Sequence, residues 1–126
     1  MSKESAPADA RQQEPRKVAY QDALTKLPAA DGKRFVNLFN HGSLEVELYA
    51  PRGFDPQKPH TRDEVYVVAQ GHGEYVCEGA RQKFAPGDFL FAAAGESHWF
   101  ERFSDDFAVW VLFYGPEGGE AERLTP

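Results

Sequence analysis

Lys58-Pro-His-Thr-Arg-Asp-Glu-Val-Tyr-Val-Val-Ala-Gln-Gly71 and Pro86-Gly-Asp-Phe-Leu-Phe-Ala-Ala-Ala-Gly-Glu-Ser-His98 are the two stretches whose reading decides the fold. Each joins a potential metal ligand to a β-strand pattern and a glycine turn. The first offers His60 and Glu64, the second His98. Two imidazoles and a carboxylate can hold one metal ion and leave coordination positions open. Along Glu64-Val65-Tyr66-Val67-Val68, positions 64, 66 and 68 share one face of a strand. If that face is the interior, Glu64 is an inward carboxylate, which is costly unless paired or bound to a metal.

Working outward, β signals dominate from residue 34 onward. Residues 35–39 read as a strand and His41-Gly42 as a turn. In residues 43–50, Leu44, Val46 and Leu48 alternate with Glu45 and Glu47, the period of a half-buried strand. Residues 64–68 are rich in β-branched and aromatic side chains. Further strands are expected at 75–77, 81–84, 89–92, 98–103 and 107–114, separated by Gly, Pro and Asp turns. Many short strands at close spacing predict an all-β sandwich or barrel. Before them, Tyr20, Ala23, Leu24 and Leu27 fall on one face of a helix that Pro28 ends. Residues 1–17 are polar with two prolines and read as a flexible tail; 18–33 read as helix and linker, 34–119 as the barrel, and 120–126 as a second tail.

Composition narrows the function. The 126 residues suit one domain that can bury its own core. A net charge of −6, with no basic run, argues against a nucleic-acid surface. No apolar stretch is long enough to suggest a membrane span, and the first residues lack a signal-peptide core. The single cysteine, Cys77, excludes an intrachain disulfide and reads as a small packed residue. The expectation is a cytoplasmic protein.

The histidines carry unequal weight. His41 and His72 sit beside glycines in turns and read as solvated. His60 precedes an apolar strand and lies four residues before Glu64, while His98 opens a strand. On residue chemistry alone, a divalent ion held by His60, Glu64 and His98 and an ion pair between Arg62 and Glu64 satisfy the carboxylate equally well.

These residues resemble the two motifs of a small single-domain cupin, over residues 36–114. His60 matches the second histidine of the first motif, followed by its glutamate, Glu64, and its closing glycine, Gly71. Gly87, Gly95 and His98 match the second motif. Lys58 stands where the first histidine is expected, Arg52 where the leading glycine is expected, Ala93 at the proline and Arg102 at the asparagine. The resemblance implies a double-stranded β-helix (jelly-roll) barrel with a short N-terminal helix. It also implies a metal site reduced to His60, Glu64 and His98, with Lys58 bringing positive charge to the mouth. Fe, Mn, Ni, Co or Zn would suit these ligands. A small organic molecule is the implied partner, with Arg62, Tyr66, Phe89, Phe91, Phe100 and Trp110 as candidate pocket residues. The implied activities are a metal-dependent dioxygenase or an isomerase/cyclase. A non-catalytic ligand-binding or sensory module and a metal-free barrel are the alternatives. A homodimer is expected, through strand 107–114 or the strand around Phe35.

Overall fold

The computed structural model describes residues 15–121. Most of the expected tails, residues 1–14 and 122–126, lie outside the described residues. Among the described residues, one short helix, α1 (Tyr20–Leu24), precedes eight strands: β1 (Phe35–His41), β2 (Leu44–Tyr49), β3 (Asp63–Gln70), β4 (Gly73–Cys77), β5 (Ala80–Phe84), β6 (Phe89–Ala92), β7 (His98–Glu101) and β8 (Ala108–Tyr114). They form a five-stranded sheet in the order β1-β2-β8-β3-β6 and a three-stranded sheet in the order β5-β4-β7. Every pairing is antiparallel. This is the all-β barrel with a short helix that the two motif stretches predict.

Strand alternation assigns the faces. On β3, Glu64, Tyr66 and Val68 are buried, and on β8 Val109 and Val111 face the same interior. Tyr75 and Phe84 from the second sheet, with Phe100 of β7 and Phe107 before β8, complete an aromatic floor. Phe100 packs edge-on to Tyr66, with ring centroids 5.0 Å apart. The opposite face of the five-stranded sheet is covered by α1, where Ala23 packs on Leu48, Ala50 and Ala108. Both faces of β2 and β8 are therefore occupied, one by the barrel interior and one by the helix.

Three boundaries differ from expectation for local reasons. The helix ends at Leu24, and Lys26 and Leu27 donate to Ala23 and Leu24 in a tightened final turn. β7 stops at Glu101 because Arg102 adopts a positive φ of 54°. β1 continues through His41, which pairs with Leu44, so the turn moves to Gly42-Ser43. One assembly expectation is corrected: β8 lies in the middle of its sheet, hydrogen-bonded on both sides, and offers no edge. The edges are β1, which contains Phe35, and β6. No described helix is long and apolar enough to cross a membrane.

The segment between β2 and β3 has no strand of its own, yet it closes the barrel wall. Asp55 holds it in place by accepting from the backbone N–H of Phe100 at 2.9 Å, from the Tyr49 hydroxyl, and from the Gln57 side-chain amide at 2.6 Å. Gly71 matters at the other end. Its φ is +89°, and a Cβ there would lie 2.6 Å from the Phe107 Cα and 2.7 Å from the Ser104 Oγ. Gly87 has a similar φ of +92° but open space around it. Chemical denaturation should separate the two effects. Gly87→Ala should cost about 1–2 kcal/mol from backbone strain alone. Gly71→Ala should cost about 3 kcal/mol or more, because backbone atoms must also shift.

Candidate metal centre

The two motif stretches meet inside the barrel. Glu64 comes from the start of β3, His98 from the start of β7, and His60 from the segment leading into β3. Their ligand atoms all lie within 4.8 Å of one another. Glu64 Oε1 is 3.1 Å from His98 Nε2 and 3.8 Å from His60 Nε2. Glu64 and His98 are 1% and 2% exposed, whereas the His60 side chain is 37% exposed and marks the open side.

The protonation pattern of His98 makes this contact informative. Its Nδ1 lies 2.8 Å from the Glu96 carbonyl, which can only accept, so Nδ1 carries the hydrogen. In a neutral ring Nε2 then presents a lone pair, and it faces a carboxylate oxygen. Among the described residues, neither His98 Nε2 nor Glu64 Oε1 has a hydrogen-bond partner. Two buried acceptors in contact are costly unless a cation joins them. A proton on Nε2 is one solution. Burial pushes the His98 pKa down, but Glu64, the Glu96 carbonyl and Asp55 outweigh it, and the net shift is upward. A metal ion is the other solution. Ligand atoms about 2.1 Å from one metal and at right angles to each other lie about 3.0 Å apart. A histidine whose second nitrogen donates to a backbone carbonyl is also the usual arrangement of a metal ligand. The residues present therefore fit a divalent ion.

Arg62 does not neutralise Glu64. It lies 3.3 Å from Glu45 and donates to the Gly115 and Ser43 carbonyls. It lies just before the strand and pairs with Glu45, whereas Glu64 is buried, so the alternative Arg62–Glu64 pair does not form.

A cavity of about 850 Å3 opens beside the cluster. Arg62 and Tyr66, two of the pocket candidates, line it. The other pocket candidates lie elsewhere. Phe89 and Phe91 share the outer face of the sheet with Val65 and Val67, and are 65% and 42% exposed. Phe100 is buried in the floor beneath His98. Trp110 points to the helix side and meets Tyr20, with ring centroids 6.3 Å apart. Lys58 is exposed and is not part of the cavity wall.

Wall residues that were not anticipated include Glu47, Tyr49, Gln57 and Phe113 near the cluster. Glu47 belongs to the alternating face of β2, and that face turns into the cavity because α1 occupies the apolar one. Burial, with Glu45 and Glu64 nearby, pushes its carboxyl up to about 7. Gln57 Oε1 accepts from the Tyr66 hydroxyl at 3.1 Å and lies 3.4 Å from His60 Nε2. Burial, followed by the charge of Glu64, holds the Tyr66 hydroxyl well above its ordinary pKa, so it remains a neutral donor. Alternation in 43–50 could have indicated Glu47, had the helix been recognised as the cover for Leu48. Gln57 lies in irregular chain and leaves no periodic signal.

Comparison with known proteins follows the same outline. A family model described as a cupin domain matches residues 45–114. An uncharacterised protein of Streptomyces coelicolor is 33% identical over 98 residues, covering 76% of this chain and 93% of the relative. The HTH-type transcriptional activator RhaS of Yersinia pestis is 29% identical over 84 residues, 65% of this chain but only 31% of the activator. Among solved structures, a Cupin 2 conserved barrel domain protein from Salinispora arenicola has a TM-score of 0.61 at 19% identity, covering 80% of this chain and 88% of that one. DMSP lyase DddQ from Ruegeria pomeroyi has a TM-score of 0.57 at 26% identity, covering 84% of this chain and 58% of the lyase.

The proton alternative yields a prediction for metal-free protein. Both raised groups bind protons more tightly in the folded state, so each stabilises the fold at low pH and loses that contribution as pH rises. For Glu47 the window runs from 4.5 to about 7. For His98 it begins near 6.5 and ends above it. In chelator, the melting temperature should therefore fall between pH 5.5 and 8. Added zinc should flatten or reverse that slope, because a metal replaces the His98 proton. A metal-free melting temperature that rises over this interval would contradict the assignment.

Proposed function

The chain belongs to the cupin-domain family, and from that premise we propose that it is a metal-dependent enzyme that converts a small organic molecule by proton transfer, an isomerase or lyase type of reaction. The observation that carries this reading is the buried contact between Glu64 Oε1 and His98 Nε2, which has no hydrogen-bond partner and has His60 beside it. These three side chains would hold Fe, Mn, Ni, Co or Zn. When bound, such an ion acts as a Lewis acid that polarises a substrate oxygen and acidifies the neighbouring C–H bond.

The chain itself supplies the rest. Glu47 lines the same cavity and exchanges a proton near neutral pH, the property a general acid–base group needs. Tyr66 offers a neutral hydroxyl fixed by Gln57. Val111 and Phe113 add apolar surface to the wall. The likeness to a DMSP lyase at 26% identity supports a lyase type of reaction over oxygenation. The partner is a small organic molecule rather than a nucleic acid, in keeping with the net charge of −6.

A second reading has its own support. The similarity to part of the RhaS activators favours a ligand-sensing barrel that binds the same class of molecule without converting it.

Metal analysis tests the centre first. Protein equilibrated with zinc or manganese should retain close to one equivalent per chain. Glu64→Ala and His98→Ala should weaken retention by about 100-fold or more. Near-zero metal in the unaltered protein would refute the centre. Turnover is then tested in D2O with metal-loaded protein and a mixture of small carbonyl compounds, followed by proton NMR. The enzyme reading expects deuterium to enter, or bonds to break, at carbon beside a carbonyl, and Glu47→Gln to slow this with metal content unchanged. Binding with neither change would favour the sensor.

A further inference from the structure

Two arginines meet at the end of the cavity where β1 begins and β2 finishes. Arg34 and Arg52 both line it, and both converge on a single oxygen: Arg34 Nε donates to the Ala50 carbonyl at 2.8 Å and Arg52 Nη1 at 3.1 Å. Arg52 Nη1 also donates to the carbonyls of Pro51 at 2.9 Å and Phe107 at 3.2 Å. These acceptors fix the two guanidinium groups side by side but carry no net charge. Among the described residues, no carboxylate forms an ion pair with either arginine. The other cations of the wall are matched: Arg62 lies 3.3 Å from Glu45, and Lys33 lies 3.6 Å from Asp31. Burial, followed by the charge of Arg52, lowers the pKa of Arg34.

The cavity is therefore polarised. Glu47 and Glu64 stand toward the metal-ligand cluster, and the carboxylates that act on Glu47 are Glu45 and Glu64. The arginine pair stands at the end where β1 begins and β2 finishes, flanked by Phe35 and Phe54, which are 40% and 71% exposed. Arg34 uses only its Nε and Arg52 only one terminal nitrogen in the bonds above. Further donors remain on both forks, and a planar guanidinium fork suits a carboxylate or phosphate group. An anion there would relieve the like-charge contact, and an apolar body beside it would cover the two phenylalanines.

We infer that Arg34 and Arg52 form the docking point for the anionic head of an organic acid, whose body lies along Phe35 and Phe54 and whose reacting end reaches the His60–Glu64–His98 cluster. The inference rests on the proposed function only in taking the bound acid as the substrate. It narrows the ligand from any small molecule to an amphiphilic anion.

A probe series tests it on the full chain. The ω-phenylalkanoates of increasing length, each paired with its neutral amide, are titrated by calorimetry into zinc-loaded and chelator-treated protein. At least one acid should bind about tenfold tighter than its amide. That preference should shrink as sodium chloride is raised, because the cations are solvent-accessible. Arg34→Gln and Arg52→Gln should each remove most of it. Matched alkyl phosphates distinguish the head group: a preference for phosphate over carboxylate keeps the dock and changes the acid. If the substitutions prevent folding, the salt titration of the unaltered protein decides. Acids and amides binding alike, no acid binding at all, or a preference that is indifferent to salt would overturn the dock. Zinc stoichiometry on the same samples separates the two ideas: acid preference without bound zinc supports the dock and overturns the metal centre.

Discussion

A single contact organises the molecule: a carboxylate oxygen and an imidazole nitrogen, 3.1 Å apart, both buried and neither hydrogen-bonded. One comes from the five-stranded sheet and the other from the three-stranded sheet. Folding brings together two lone pairs that repel each other unless a cation intervenes. The barrel tolerates this because its hydrophobic floor of Tyr66, Tyr75, Phe84, Phe100 and Phe107 is continuous beneath the contact. Burial of large aromatic side chains contributes on the order of 2–3 kcal/mol each. A core of that kind can carry a locally unfavourable polar pair, and functional sites are where such conflicts are found.

The surroundings of the pair have a consistent electrostatic plan. Acidic groups gather where a cation would sit, and basic groups stand at the opposite end of the same cavity. Arg62 stays at the rim with Glu45 and leaves Glu64 available. The helix contributes indirectly. By covering the apolar face of β2, it turns Glu45, Glu47 and Tyr49 into the cavity.

Much of this was legible in the sequence. The strands around Glu64, Phe89 and His98 follow from alternation and turn residues, and the three metal-ligand candidates that the family resemblance implied lie close together. What could not be read was which of two apolar-looking faces a strand turns inward. Phe89 and Phe91 alternate as a core strand would, yet their partners Val65 and Val67 place them outside. Trp110 faces the helix because its neighbours on β8, Val109 and Val111, already fill the interior. Lys58 and Gln57 lie in irregular chain, where one residue of difference decides between solvent and site, and no periodicity records the choice. Arg34 and Arg52 were invisible for a related reason: their meeting point is a backbone carbonyl contributed by β2's end, which only the folded chain defines.

Asp55 touches none of the candidate ligand atoms, yet four hydrogen bonds end on its carboxylate, tying the segment that carries His60 to Tyr49, to Gln57 twice, and to the strand that carries His98. For an ion bound at this cluster, the consequence would be a chelate effect set at a distance. The entropy of assembling donors from separate parts of the chain is lost during folding rather than at ion uptake, so the donors arrive preorganised. A rigid donor set also discriminates by ionic radius, since an ion of the wrong size cannot be met by adjustment of the loop. Selectivity and exchange rate for the ion can then drift over evolution through a residue outside the coordination sphere, with the ligands themselves unchanged.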